Sequence, residues 1–172
     1  MAATIHIADY DPDWPRRFEE EALKIRSALG DRALRIEHVG STAIPDLPAK
    51  PIIDIVLLVA DSAVEPDYAP ALENAGYHLR IREPAWFEHR MFKGPQDSVN
   101  LHVFSNGCRE VDRMLQFRDW LRSQAADRDL YVRTKRALAR QAWNCTQDYA
   151  DAKTAVVQEI LALAEASIMS RK

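Results

Sequence analysis

The sequence lacks any apolar run of the roughly 18 residues that a transmembrane helix requires. Its N-terminus lacks the basic segment and apolar core that are typical of a secretory signal peptide. The two cysteines, Cys108 and Cys145, are far apart and form neither a zinc-binding framework nor a disulfide scaffold. These absences argue against membrane and secreted proteins, and they predict a cytoplasmic location.

The sequence also lacks an excess of positive charge, because its formal net charge is −3. A long nucleic-acid partner is therefore not expected. Residues 109–143 nevertheless contain nine Lys or Arg against five Asp or Glu. This local positive charge on an otherwise acidic chain favours a small anionic ligand.

Hydrophobic periodicity predicts one α+β domain over residues 1–172, with a mixed β-sheet and a C-terminal helical cover. Residues 4–8 are expected to form a short strand or an extended arm. The oligomeric state does not follow from the sequence. The predicted strands are 33–39, 51–59, 77–82, 86–93 and 99–104, and the predicted helices are 14–29, 66–76, 109–125, 127–143 and 147–169.

Polar residues are concentrated between two predicted strands, at Gly40, Ser41 and Thr42. Glycine allows a ligand to approach the backbone closely, and the hydroxyl and N–H groups that follow can bind an anion. Asp54 lies in a run that is apolar on both faces, where a carboxylate is costly unless it is paired or binds a metal. The spacing of Gly40 and Lys50 does not match a P-loop. A common turn and a structural aspartate remain the alternative interpretation.

Three basic residues occupy apolar helical faces. Arg118 lies within the apolar arc of the helix predicted at 109–125, Lys153 lies within that of the last helix, and Lys135 borders the arc of its own. Tyr131 and Tyr149 each precede a lysine by one helical turn. Such cations can extend along apolar surface with solvated head groups. Three of them facing the sheet favour an anion pocket, and a triphosphate would suit it.

His102 is predicted to share a strand face with Asn100. A strand histidine is commonly a structural, hydrogen-bonded residue, but beside Asp54 it could bind a metal or carry a proton. His38 and His89 are weaker candidates for the same roles.

Several motifs resemble the GrpB family, and they follow the family's order over nearly the whole chain. The resemblance implies the fold of the nucleotidyltransferase superfamily, a mixed sheet with helices packed on it. The motifs lie at residues 9–14, 37–45, 50–55, 101–103 and 117–122, and in the pairs Tyr131–Lys135 and Tyr149–Lys153.

In that superfamily, a Gly-Ser turn precedes two strand carboxylates that hold Mg²⁺ ions on a triphosphate. Gly40 and Ser41 match the turn, and Asp54 matches the first carboxylate. Val56 occupies the second carboxylate position and cannot bind a metal.

The resemblance thus implies a nucleotidyltransferase that binds a nucleoside triphosphate and Mg²⁺, with Asp54 and His102 as the catalytic and metal-binding residues. The alternatives are a non-catalytic nucleotide- or phosphate-binding module and, last, a metal-dependent hydrolase that uses His38, Asp54 and His102. The residues expected to contact the nucleotide are Gly40, Ser41, Thr42, Lys50, Arg118, Tyr131, Lys135, Tyr149 and Lys153.

Overall fold

The computed structural model describes residues 5–170, which form a five-stranded mixed sheet covered by helices on both faces. The strands lie in the order β1-β2-β5-β4-β3, and only the central β2–β5 pair is parallel. The predicted α+β class with a mixed sheet is confirmed. The strands are β1 (Arg35–Val39), β2 (Ile53–Val59), β3 (His78–Glu83), β4 (His89–Lys93) and β5 (Val99–Ser105).

The two faces of the sheet bury different side chains because alternate residues of a strand point to opposite sides. Ile53, Ile55 and Leu57 pack beneath the two N-terminal helices in one hydrophobic cluster. Val56 and Leu58 face the other way and pack against the first C-terminal helix. The helices are α1 (Trp14–Leu29), α2 (Ala69–Asn74), α3 (Arg109–Ser123), α4 (Ala125–Ala139), α5 (Thr146–Ala152) and α6 (Thr154–Met169).

The prediction of a single helix at 147–169 is wrong, because two helices, α5 and α6, occupy this range. The N–H of Lys153 donates to Ala150, three residues back, at 3.2 Å. This tighter hydrogen bond interrupts the regular helical pattern at Lys153. Periodicity alone does not reveal such a break, because the apolar pattern continues across it.

Other boundaries also differ from the prediction, and the helix predicted at 127–143 is displaced to Ala125–Ala139. The predicted helix at 66–76 is shortened to α2 because residues 65–67 form a 3-10 turn. Strand β4 begins at His89 rather than at residue 86, since a turn with positive φ at Phe87 and Glu88 precedes it. Of the predicted segment 4–8, residue 4 lies outside the described residues, and Ala8 forms only an isolated bridge with Ala49.

None of the helices within residues 5–170 combines the length and the apolar character needed to span a lipid bilayer.

Arg118 connects helix α3 to strand β1. Its Nη1 donates to Glu37 at 2.8 Å and to the His38 carbonyl at 3.0 Å, and its Nε donates to Asp119 at 2.8 Å. Only 9% of the residue is exposed. A buried cation is tolerated when its donors are satisfied in this way, so Arg118 holds a helix against the sheet.

We expect Arg118→Met to lower the free energy of unfolding by about 2 kcal/mol, because Glu37 and the His38 carbonyl lose a charged donor. Chemical denaturation measures this loss. The matched control is Arg113→Met on the same helix, whose exposed ion pair should change the stability by about 0.5 kcal/mol or less. Equal effects of the two substitutions would contradict the structural role of Arg118.

Candidate functional site

A cavity of about 420 Å³ opens between the sheet and helices α4 and α5. It brings together the bend after β1, the carboxylate of β2 and basic residues of the C-terminal helices, which are far apart in the sequence. The predicted site residues that line it are Ser41, Thr42, Lys50, Asp54, His102, Lys135, Tyr149 and Lys153.

Gly40 allows the bend after β1 to lie directly against Asp54. Its φ of +71° belongs to the left-handed region, and a Cβ atom here would lie 2.7 Å from Asp54 Oδ2. A side chain at this position would therefore collide with the carboxylate. The sequence identified Gly40 through the freedom of its backbone, and the structure adds the close contact with Asp54 as a specific reason for glycine.

Asp54 lies opposite Asn100 in the parallel β2–β5 register. Its Oδ1 accepts a hydrogen bond from Asn100 Nδ2 at 2.9 Å, and His102 Nε2 lies 3.4 Å from the same oxygen. Burial acts to raise the pKa of the Asp54 carboxyl, but His102, Asn100 and the charge of Lys153 together hold this pKa below its usual value. Asp54 is therefore an anion at neutral pH.

Lys135 extends from α4 into the interior, where only 2% of the residue is exposed. Its Nζ donates to Ser41 Oγ and to the Pro48 carbonyl, each at 2.9 Å, and lies 5.1 Å from the centre of the Tyr131 ring. Burial and then the charge of Lys153 lower the pKa of Lys135 to about 7. A bound anion would favour the charged form of this lysine.

Tyr149 lies between two ammonium groups. Lys153 Nζ is 4.6 Å and Lys50 Nζ is 4.9 Å from the centre of its ring. Burial and the charge of Lys50 lower the pKa of Lys153 to about 8. The buried hydroxyl of Tyr149 has no hydrogen-bond partner among residues 5–170, which costs about 1–3 kcal/mol unless a ligand supplies one.

The charges in the cavity are unbalanced. Lys50, Lys93, Lys135 and Lys153 line it, but Asp54 is the only acidic residue that the described chain contributes to its wall. Within the described part of the chain, none of these lysines has a carboxylate oxygen within 4.0 Å. The cavity therefore favours an anion that carries several negative charges.

His102 belongs to a chain of hydrogen-bonded groups that leads away from the cavity. Its Nδ1 lies 3.0 Å from His89 Nε2, and His89 Nδ1 lies 2.6 Å from Glu83 Oε2. Burial is the largest influence on His89 and, despite Glu83, its pKa is lowered. His89 was predicted only as a weaker candidate and Glu83 was not predicted, because neither shares a motif with His102.

Three of the residues expected to contact the nucleotide do not line this cavity: Gly40, which lies behind Asp54, and Arg118 and Tyr131. Arg118 lines a separate cleft beside Glu37, so the structure does not bring it to the expected phosphate position. Its charge is already satisfied by the contacts that hold α3 to β1. Tyr131 is buried behind Lys135, and burial raises the pKa of its phenol to about 12.

His38 lies on the opposite face of the sheet from Asp54. Its Nε2 lies 2.9 Å from Thr42 Oγ1, and its ring stacks on Phe18 at 4.8 Å. Burial lowers the pKa of His38 to about 4. Among residues 5–170 there is no group of three His, Cys, Asp or Glu side chains that could hold a metal. The geometry therefore offers no support for a hydrolase site built from His38, Asp54 and His102.

Sequence reasoning missed Lys93 and gave Asn100 only a secondary place. These two residues are partners in the antiparallel β4–β5 register, and Asn100 is the partner of Asp54. Alternation along β5 was a usable signal, since it placed Asn100 and His102 on one face. The neighbouring strand that supplies Lys93 was not deducible, because strand order depends on tertiary packing.

The GrpB protein family model matches residues 4–163. The chain belongs to the GrpB family. A UPF0157 protein of Halalkalibacterium halodurans is 60% identical over 165 residues, covering 96% of this chain and 85% of the relative. A dephospho-CoA kinase of Mycolicibacterium paratuberculosis is 31% identical over 166 residues, covering 81% of this chain but only 41% of the kinase.

Among solved structures, the conserved protein GrpB from Enterococcus faecalis superposes with a TM-score of 0.84 at 30% identity, covering 95% of this GrpB chain and 99% of that one. Cid1, solved in complex with its short product ApU, has a TM-score of 0.53 at 12% identity, covering 75% of this chain and 42% of Cid1. The likeness to Cid1 concerns the fold alone.

We expect Gly40→Ala to displace the Asp54 carboxylate and to lower the free energy of unfolding by about 2–4 kcal/mol. The new Cβ collides with the carboxylate, and alanine is strained at this positive φ. Chemical denaturation measures the change. Gly107→Ala is the matched control, since Gly107 has a φ of +79° but no atom lies within 4 Å of the position that its Cβ would take. The control should lose about 1 kcal/mol. Equal losses would contradict the close contact between Gly40 and Asp54.

Proposed function

We propose that this GrpB protein binds a nucleoside triphosphate together with Mg²⁺ in the Asp54 cavity and transfers the nucleotidyl group to an acceptor. The observation that carries the proposal is the convergence of Asp54 and the lysines of the cavity beside the Gly40–Ser41 bend. A polyphosphate would satisfy the unbalanced positive charge, and a carboxylate is a ligand that Mg²⁺ prefers. The shared fold of Cid1 is consistent with this function.

In this proposal, each side chain has a role that its position allows. Lys135 and Lys153 bind phosphate oxygens, and Lys153 lies over the ring of Tyr149, whose buried hydroxyl lacks a partner among the described residues. The Ser41 hydroxyl, which accepts from Lys135, is able to donate its own hydrogen to a phosphate. Thr42 and Lys50 complete the binding surface.

The donors around Asp54 fit one metal ion better than two. Asp54 is the one carboxylate among the described residues that line the cavity, and its neighbour His102 offers an imidazole nitrogen. Asn100 turns its amide nitrogen towards Asp54 and orients the carboxylate. A metal ion held here would neutralise charge that develops on the transferred phosphoryl group. His102 would act as a further ligand or as the base that accepts the proton of the acceptor hydroxyl.

The second candidate function is a non-catalytic module that binds a nucleotide or another phosphate. Val56 favours it, because this residue occupies the second carboxylate position and is fully buried against the Phe104 cluster. Two-metal transfer requires ligands for both ions. A module of this kind would bind its ligand with a micromolar Kd, which corresponds to a binding free energy of about −8 kcal/mol, and it would not catalyse a reaction of the ligand.

The two functions differ in pyrophosphate release. We expect wild-type protein with Mg²⁺ and a mixture of nucleoside triphosphates to release pyrophosphate, and Asp54→Ala to lose at least roughly 100-fold of the rate because the metal ligand is gone. Asp129→Ala, an exposed carboxylate on α4, is the matched control and should retain the rate. Equal background release by wild type and Asp54→Ala would remove the catalytic proposal.

Binding without turnover would support the second function. The change in melting temperature on adding the same nucleotides measures binding, and it separates a binding module from a protein that binds no nucleotide. If the protein is a binding module, Lys153→Ala should weaken nucleotide binding about tenfold, and Asp54→Asn should scarcely change it. The absence of any nucleotide-dependent shift in melting temperature would contradict both functions.

We expect binding of ATP at pH 8 to take up about one proton. Without ligand, the pKa of Lys135 is about 7 and that of Lys153 about 8, so both are partly neutral at this pH. The triphosphate favours their charged forms and raises both pKa values. Affinity should consequently fall as the pH rises from about 7 to about 10.

Calorimetry in two buffers of different ionisation enthalpy measures the proton uptake. Lys135→Met should reduce it by more than half, and Lys24→Met on α1, across the sheet from the cavity, should leave it unchanged. Proton release, or the same uptake in Lys135→Met, would show that the phosphates do not lie beside Lys135.

A further inference from the structure

The four lysines of the Asp54 cavity form a row. Among the positive charges near Lys135, that of Lys153 acts most strongly and, after the larger effect of burial, lowers the pKa of Lys135. Lys50 lowers the pKa of Lys153 in the same way, and Lys93 lowers that of Lys50, each again after burial. The lysine row therefore runs from Lys135 through Lys153 and Lys50 to Lys93. A row of positive charges complements the negative charges of a phosphate chain.

The two ends of the lysine row differ in depth. Lys135 is only 2% exposed, and its Nζ donates to Ser41 Oγ at 2.9 Å. Lys93 is half-buried at the end of β4, where it is the register partner of Asn100 on β5. The Lys135 end is thus closed, whereas the Lys93 end is the more accessible one. A phosphate chain that lies along the row places its terminal phosphate beside Lys135 and extends towards Lys93.

The aromatic rings of the cavity are already engaged. Proteins commonly hold a nucleic-acid base by stacking it on an aromatic face. Tyr149 is the one Phe, Tyr or Trp side chain that the described residues contribute to the cavity wall, and the Nζ atoms of Lys153 and Lys50 lie 4.6 and 4.9 Å from the centre of its ring. The His102 ring stacks on that of His89, with 5.2 Å between their centres. These rings contact cations or each other, so a base gains little by entering the cavity.

We infer that the cavity recognises a chain of three phosphates and not the base, so that inorganic tripolyphosphate is a complete ligand. Each ammonium group of the lysine row contributes a charge-assisted contact to a phosphate oxygen, and the affinity of a nucleotide comes from these contacts. The inference rests on the proposed function, which supplies the phosphate ligand, and it adds which part of that ligand the protein binds. Nucleoside triphosphates with different bases are then equivalent ligands.

The first test compares ligands by calorimetry on the full chain, with Mg²⁺ and at constant ionic strength. ATP, GTP, CTP, UTP and inorganic tripolyphosphate should have Kd values within about threefold of one another. Pyrophosphate should bind at least about tenfold more weakly, because it contacts fewer lysines. Adenosine should show no binding at the same concentrations.

The second test locates the phosphates along the row. Lys135→Met should weaken the binding of both tripolyphosphate and pyrophosphate about tenfold, because both ligands occupy the closed end. Lys93→Met should weaken tripolyphosphate about tenfold and pyrophosphate less than about twofold, because the shorter chain does not reach Lys93. The matched control is Lys24→Met on α1, which removes an ion pair with Glu21 and should change neither affinity. Lys93→Met also keeps the test decisive if Lys135→Met does not fold.

Three results would contradict the inference in different ways. A preference of about tenfold or more for one base, or for ATP over tripolyphosphate, would show that the nucleoside is recognised and would leave the proposed function standing. Equal losses of tripolyphosphate and pyrophosphate affinity in Lys93→Met would contradict the order of the lysine row. If neither ATP nor tripolyphosphate bound, the proposed function would fail and the inference would fail with it.

Discussion

The carboxylate of Asp54, carried by the central strand β2, is the group on which the arrangement of the cavity depends. A charged group on a buried strand is costly unless neighbouring groups stabilise it. Asn100 donates to it from the adjacent strand, His102 lies beside it, and the charge of Lys153 favours its ionised form. Gly40 leaves the space that the second oxygen occupies. These four neighbours come from three separate parts of the chain.

The lysines of the cavity lack enough partners of opposite charge. They lie close to one another, and Asp54 is the only acidic residue that the described chain contributes to the cavity wall. Burial and the charge of a neighbouring lysine lower the pKa values of Lys135 and Lys153 to about 7 and about 8. A fold that only needed packing would gain nothing from this arrangement, since replacing buried charge by apolar side chains is often neutral or stabilising. The repulsion is relieved when an anion binds. This relief is the physical reason for the phosphate ligand that we propose.

This chain has Val56 where the resemblance predicts a second carboxylate on β2, and a histidine of β5 lies beside that position. Val56 is packed into the core, and its partner in the parallel register is His102. The imidazole therefore lies one strand across from the position where a second carboxylate would lie. The chain from His102 through His89 to Glu83 then ends at a carboxylate that is half-exposed on the turn between β3 and β4. Beyond Asp54, a second carboxylate is therefore connected to the cavity through two imidazole rings and does not line it.

The sequence by itself determined the fold class and most strand and helix positions, and it singled out Gly40, Ser41 and Asp54, which the structure brings together. Periodicity and motifs are local properties, and they are retained in the folded chain. Motifs also identified Lys135 and Lys153, which the structure brings to the cavity. The break at Lys153 was not predictable, because the apolar pattern continues through a single tightened turn.

Only the tertiary structure decided which buried cations face the cavity and which are paired within the protein. Arg118 and Lys135 have similar positions on amphipathic helices, yet Arg118 pairs with Glu37 whereas Lys135 contacts Ser41 at the cavity. The links from Glu83 to His89 and from His89 to His102 were likewise beyond the sequence, because they depend on a turn with positive φ and on the order of strands. The sequence determines which side chains carry charge, but the partner of each charge is set by packing between elements that are distant in the chain.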